Sequence, residues 1–238
     1  MRLSSPLHNV LSFVYPRICI VCQNPLGHDK WLCDLCLKKL TTNHRLRDAC
    51  PLCGQNRTLR RCTCEYHWNQ PFESVFSLFD FDDTLRGIVY EFKYGGKKRL
   101  AFDMGAAYAR LVPAEIFEGM DLAVCVPLFF WRAMKRGYNQ AEHFAKGIIR
   151  EAAQVEFLPN ILVRKRSTKT QTRLSRSRRV ANVAGVFTVH PGKRKLLRGK
   201  NIVIVDDIVT TCATTAECAR ALRDAGCGTI RVLSLARD

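Results

Sequence analysis

The sequence predicts an α/β fold in which a parallel sheet carries helices on both faces, preceded by a small cysteine-rich unit. Two observations carry that expectation. From Val75 onward, short continuous apolar runs alternate with stretches of helical spacing, the pattern of strands buried on both faces and joined by covering helices. Ahead of them, eight of the 12 cysteines fall within residues 19–64, and the other four (Cys125, Cys212, Cys218, Cys227) are scattered. The 238 residues, 47% hydrophobic and 25% charged, have room for one or two domains and exclude wholesale disorder. The expected division is 1–70 for an N-terminal helix and the cysteines, and 71–238 for the α/β part.

At the start, Leu3, Leu7, Val10, Leu11 and Val14 follow helical spacing, with Ser5 as cap, Pro6 at the first position and Pro16 as the stop. Its polar face lacks the Lys and Arg of an interfacial helix, so it reads as a short packing helix. Next come Cys19-x-x-Cys22, Cys33-x-x-Cys36, Cys50-x-x-Cys53 and Cys62-x-Cys64. Each such turn delivers two thiolates to one ion, and two turns complete a tetrahedral zinc site. The first four cysteines fit one site and the second four another, although an interleaved pairing satisfies the same counts; the tight Cys62-x-Cys64 turn raises His67 as an alternative ligand, but a surface histidine beside a complete set is the commoner case. Closed four-thiolate sites leave no open coordination position, so this zinc is expected to fold the unit and not to catalyse. The ribbon also offers Arg45, Arg47, Arg57, Arg60 and Arg61, either for nucleic acid or as a solvated surface.

The α/β elements follow in order. Val75 to Phe81 reads as a strand, 84–93 and 98–112 as helices, and Leu122 to Val126 as a buried strand. A helix is expected around Asn139 to Ala153, with short strands near 161–164 and 185–189. The end is clearest: strand Asn201–Val205, helix 213–225, Gly226 as stop, strand Thr229–Leu235.

Charge bounds the partners. Lys and Arg number 38 against 21 acids, a formal +17, which two four-thiolate zinc sites would lower to about +13. Between Phe157 and Val205 there are thirteen Lys or Arg and no acid. Such an excess favours polyanions: nucleic acid, phosphorylated metabolites or anionic lipid. The longest apolar run, Leu122 to Trp131, has ten residues and contains Pro127, short of the ~20 that a membrane helix needs. His8, Asn9 and Ser12 interrupt any signal-peptide core, so the expected location is cytoplasmic, with the cysteines reduced.

The sharpest motif is Ile202-Val203-Ile204-Val205-Asp206-Asp207-Ile208-Val209-Thr210-Thr211-Cys212-Ala213-Thr214-Thr215. Ligands of open α/β sheets bind at carboxyl strand ends, and a following helix N-terminus favours phosphate. Threonine hydroxyls add donors, and two adjacent carboxylates suit a polyol or hydrated Mg²⁺. The residues alone therefore point to a phosphorylated sugar. A capping box, Thr214-x-x-Glu217, is the competing reading, but capping leaves the paired aspartates unexplained.

This segment is similar to the phosphoribosyl-pyrophosphate motif of type I phosphoribosyltransferases. Together with Arg136-Gly137-Tyr138-Asn139-Gln140, Phe92-Lys93-Tyr94-Gly95, the stretch Gln171 to Asn182 and the cysteine quartets, it resembles the ComF family of competence proteins and their GntX-like relatives, over nearly the whole chain. The resemblance implies a type I phosphoribosyltransferase-like sheet in which Asp206 and Asp207 hold the ribose hydroxyls. Thr210, Thr211, Cys212, Ala213 and Thr214 would hold the 5′-phosphate, with Mg²⁺ accompanying phosphoribosyl pyrophosphate. Arg132, Lys135 and Arg136 are chemically apt for the pyrophosphate. The chain departs from the pattern at Cys212, where this loop usually has glycine; a positive φ there would strain a cysteine, and a helix N-terminus can make such a thiol reactive.

The basic segment Arg164 to Arg179 reads as a disordered loop, a lid over the pyrophosphate or a nucleic-acid contact; few aromatics interleave it, so base stacking is not indicated there. Three functions follow. The resemblance favours DNA uptake in natural transformation, with single-stranded DNA or the uptake machinery as partner. The others are a phosphoribosyltransferase, and a nucleotide-metabolism regulator that senses phosphoribosyl pyrophosphate without turnover.

Overall fold

A computed structural model describes residues 17–26, 31–42, 49–50, 52–55, 57, 62, 69–128, 134, 136–165 and 184–238. The expected N-terminal helix, Arg45, Arg47, Arg60, Arg61, Cys64, His67, Arg132, Lys135 and residues 166–183 lie outside them.

The cysteine region opens with a two-stranded antiparallel pair, β1 (Arg17–Ile18) and β2 (Pro25–Leu26), then α1 (Asp34–Thr42). The chain continues with β3 (Ser74–Asp80), α2 (Asp83–Tyr94), α3 (Lys98–Leu111), β4 (Leu122–Cys125), α4 (Gln140–Glu151), β5 (Glu156–Phe157), β6 (Leu162–Arg164), β7 (Phe187–Val189), β8 (Ile202–Val209), α5 (Ala213–Arg223) and β9 (Ile230–Arg237). Five strands form one sheet in the order β3-β9-β8-β4-β5, every neighbouring pair parallel. Alternate residues of the central strands feed two separate cores. Val203, Val205, Leu233 and Leu235 pack with Phe92, Leu100, Phe144 and Ile148 from α2, α3 and α4. Ile202, Ile204, Ile230 and Val232 pack with Cys218 and Leu222 of α5 and with Leu162 and Phe187. Helices thus cover both faces, which is why these strands read as unbroken apolar runs.

Local signals start the helices where the pattern changes. Asp82 caps α2, its carboxylate accepting from Leu85 N at 2.8 Å, and Asn139 caps α4, accepting from Ala141 N at 3.1 Å. Helices α3 and α4 approach backbone to backbone at two reciprocal glycines. A Cβ on Gly105 would lie 2.1 Å from Phe144 O, and one on Gly147 2.0 Å from Phe102 O. Tyr108 seals the same seam: its ring meets Phe144 edge-on at 5.4 Å, and its hydroxyl donates to Phe76 O at 3.0 Å.

Three details differ from the sequence expectations. The short strands β6 and β7 pair antiparallel with each other and stand outside the parallel sheet. The two-residue β5 was not expected. Strand β8 runs past Val205 to Val209, because Asp206, Ile208 and Val209 stay in register with Ser234, Ala236 and Arg237 of β9.

The cysteine region is packed onto this scaffold. Cys19, Leu32 and Leu40 belong to the same buried cluster as Leu100 and Met104 of α3, and Trp31 Nε1 donates to Asp103 Oδ2 at 3.3 Å. The Cys50–Gln55 turn lies along β3, with Val75 N donating to Leu52 O at 2.8 Å. Among the described residues, no helix is long and apolar enough to cross a membrane.

Candidate phosphoribosyl site and cysteine clusters

A pocket of about 400 Å³ opens at the carboxyl end of β8. Phe81, Lys93 and Asp238 line it together with the segment Asp206–Thr215. Asp206, Asp207, Thr210, Thr211, Cys212, Ala213 and Thr214 therefore come together around one cavity, at the N-terminus of α5. An anion placed there faces the positive end of a helix dipole.

The two aspartates are not equivalent. Asp207 is buried, and its Oδ2 accepts from Lys93 Nζ at 2.6 Å and Gln140 Nε2 at 3.2 Å. Burial is the largest single influence and pushes its pKa up; the Lys93 charge and these hydrogen bonds outweigh it, holding the carboxyl below the ordinary carboxylate range. Asp206 accepts from Asp207 N at 2.9 Å. Burial first, and the neighbouring Asp207 charge second, push Asp206 well above the ordinary range. The pair thus offers one fixed negative charge and one carboxyl that readily carries a proton. That combination suits both accepting from and donating to sugar hydroxyls.

Lys93 and Gln140 were missed as site residues, although both stand in motifs that carry the family resemblance. A signal was present: Lys93 follows Val89 by four residues and Gln140 precedes Phe144 by four, so each polar side chain falls on the buried face of its helix. The two motifs interlock. Arg136 donates to Gln140 Oε1 at 3.0 Å and to Tyr94 OH at 3.1 Å, and its guanidinium lies 4.7 Å from the Tyr94 ring centroid. Tyr138 OH donates to Phe92 O, and Asn139 Nδ2 donates to Val126 O at 3.0 Å. A continuous polar chain therefore runs Tyr94–Arg136–Gln140–Asp207–Lys93. Arg136, expected at the pyrophosphate, stands beside the pocket and braces Gln140.

Cys212 is the N-cap of α5, with φ +61° and ψ 2°, the left-handed conformation that glycine would adopt without cost. A cysteine there carries strain of about 1–2 kcal/mol. Its sulfur accepts from Arg237 Nη1 at 2.9 Å, a buried contact that a glycine could not make. The acidic member of the suspected capping box, Glu217, reaches the loop before β7, where it accepts from Gly185 N at 2.8 Å.

The cysteines form two separate clusters. The sulfurs of Cys19, Cys22, Cys33 and Cys36 lie within 4.8 Å of one another, as do those of Cys50, Cys53 and Cys62. Cys22 and Cys33 sulfurs are 3.6 Å apart, and those of Cys53 and Cys62 are 3.4 Å apart. A tetrahedral zinc ion with Zn–S bonds of about 2.3 Å sets sulfur–sulfur separations of about 3.8 Å, so the spacing fits the metal. Grouping follows chain order, and interleaving among these seven is excluded.

Comparison with known proteins agrees with this geometry. Residues 125–238 match the phosphoribosyl transferase domain. DNA utilization protein YhgH of Escherichia coli K12 is 28% identical over 233 residues, covering 93% of this chain and 97% of its own. Competence protein ComFC of Bacillus subtilis is 25% identical over 238 residues, covering 90% and 91%. Competence protein F of Haemophilus influenzae is 35% identical over 117 residues, which span 49% of this chain and half of that protein. Among solved structures, the glutamine phosphoribosylpyrophosphate amidotransferase of B. subtilis aligns with 61% of this chain and 30% of its own, at 19% identity and a TM-score of 0.37. Residues 125–238, which carry β8, α5 and the pocket loop, are thus a match to the phosphoribosyl transferase domain. The chain is a homologue of ComFC and of the DNA utilization protein YhgH over nearly its whole length, and of competence protein F over about half of it, in agreement with its ComF resemblance.

Proposed function

We propose that this chain handles DNA during uptake in natural transformation, on the cytoplasmic side, and that its pocket binds phosphoribosyl pyrophosphate with Mg²⁺. The division of labour follows the expected boundary, 1–70 holding two structural zinc ions and 71–238 the phosphoribosyl site. The observation that carries the pocket reading is the Asp206–Asp207 pair beside a threonine loop at a helix N-terminus, with Lys93 and Gln140 fixing Asp207. Asp206 and Asp207 would take the ribose hydroxyls, and Thr210 to Thr214 the 5′-phosphate. Mg²⁺ supplies charge neutralisation to the pyrophosphate. Names of the full-length relatives support the DNA role, and a reducing cytoplasm suits thiolate metal sites. Turnover requires an acceptor, and pyrophosphate release is its signature; ligand binding without release marks a sensor.

Calorimetric titration of the zinc-loaded protein with phosphoribosyl pyrophosphate and Mg²⁺ tests the pocket. Binding is expected in the wild type and a loss of at least about tenfold in Asp206→Asn/Asp207→Asn, whose shape is conserved. Equal heats in both proteins, with the fold intact, would overturn the reading.

Metal content tests the front end. About two zinc ions per chain are expected, falling to about one in Cys36→Ser. Structural zinc contributes roughly 10–16 kcal/mol of apparent binding free energy in small metal-folded units, so chelation is expected to unfold this region. Unchanged circular dichroism after zinc removal would exclude a folding role.

A further inference from the structure

Helix α2 presents an exposed aromatic stripe outside the pocket lining. Tyr90 and Tyr94 are each 60% exposed, one turn apart, with ring centroids 5.0 Å apart. Arg136 caps Tyr94 at 4.7 Å, while Arg86, one turn before Tyr90, is ion-paired to Asp83 at 2.8 Å and lies over the Phe81 ring. Two exposed aromatic rings beside one guanidinium are poorly suited to a solvated surface and well suited to flat partners carrying negative charge. The same helix turns Lys93 into the pocket, and Arg136 reaches Asp207 through Gln140. The stripe therefore begins where the phosphoribosyl site ends.

We propose that Tyr90, Tyr94 and Arg136 form a stacking platform for unpaired bases of single-stranded nucleic acid, running alongside the phosphoribosyl pocket. The observations favour nucleic acid over a protein partner because two exposed rings adjoin the Arg136 guanidinium, on a chain of formal charge +17. Bases stack on the tyrosines, while Arg136 meets the backbone. This surface rests on the DNA-handling reading above, and names where on the chain the strand lies.

The test uses full-length, zinc-loaded protein and fluorescence anisotropy with a labelled oligothymidylate of about 20 nucleotides. Alanine substitution of stacking residues costs about 1–3 kcal/mol per base, so Tyr90→Ala and Tyr94→Ala are each expected to weaken binding between about 5- and 150-fold. Tyr90→Phe should retain wild-type affinity. The slope of log affinity against log salt should be unchanged in Tyr90→Ala, because the lost contact is stacking and not counterion release. An abasic strand of the same length should bind wild type and Tyr90→Ala alike. Wild-type affinity in both alanine variants would overturn the platform and leave DNA handling standing. If no strand binds the wild type, both fall, while the calorimetric result for the pocket stands on its own. A duplex that binds as tightly as the single strand, and loses as much in Tyr90→Ala, would also overturn the platform.

Discussion

Gly147→Val is expected to destabilise the protein by about 3 kcal/mol, at the upper end of the range for overpacking substitutions. A Cβ at this position lies 2.0 Å from Phe102 O, and a backbone carbonyl cannot swing aside as a flexible side chain can. The two helices must separate, loosening Tyr108 and Phe144 at the same seam. For a chain of this size, 3 kcal/mol corresponds to a fall in thermal midpoint of roughly 6–12 °C. Gly105→Ala meets Phe144 O at 2.1 Å from the other side and should act in the same direction. Gly87 on α2 is the contrast, since its Cβ would meet nothing within 4 Å. There alanine should raise stability by about 0.5–1 kcal/mol through helix propensity and unfolded-state entropy. Parallel melts of the three variants check the claim, and a neutral Gly147→Val would refute the close helix contact.

Lys93→Met should be at least as damaging, by a different route. It leaves Asp207 buried with Gln140 as its remaining side-chain donor, and removing one member of a buried pair costs about 3–5 kcal/mol. The pH dependence identifies the mechanism. In the wild type, the folded-state pKa of Asp207 is depressed, so its contribution is present above the unfolded value of about 3.9 and is lost as pH falls through the lower folded value. In Lys93→Met, burial acts without a cation and the folded pKa rises. The ionised form then costs stability above about 3.9, and that cost disappears once the group is protonated in both states. The difference between variant and wild type should therefore be largest near pH 7 and shrink toward pH 4. Urea midpoints across that range measure it, and acid loss of zinc affects both proteins alike. A difference that stays constant with pH would assign the damage to lost packing.

The sheet was legible because parallel strands covered on both faces must be apolar at consecutive positions, and Ile202 to Val205 and Thr229 to Leu235 have few alternatives. Strands β6 and β7 were legible as strands but not in their pairing, since three residues with half-exposed members carry no sign of the partner. Asp206 and Asp207 declared themselves by standing next to an apolar strand. Their different ionisation did not, because it depends on Lys93, more than a hundred residues away in sequence and brought in by α2. The contacts of Arg136 were equally invisible in the sequence: its chemistry suits a pyrophosphate, and the fold also sets it against Gln140 and over Tyr94. Cysteine spacing could not choose between sequential and interleaved pairing, which only folding decides. The special backbone at Cys212 was foreseeable from the usual glycine; the compensating contact from Arg237 was not.

The turn that runs from Cys50 to Gln55 guards one margin of the sheet. Strand β3 is a seven-residue outer strand whose far side would otherwise offer bare amides and carbonyls to any passing extended chain. Leu52 occupies one of those amides, and Gly54 comes so close that a Cβ would sit 2.7 Å from Val75 O. The opposite margin, β5, has only two residues and little to offer. The cysteine turn is thus also a plug against intermolecular strand addition. Displacement of this turn would leave β3 open to self-association, one strand away from β8 and the pocket at its carboxyl end.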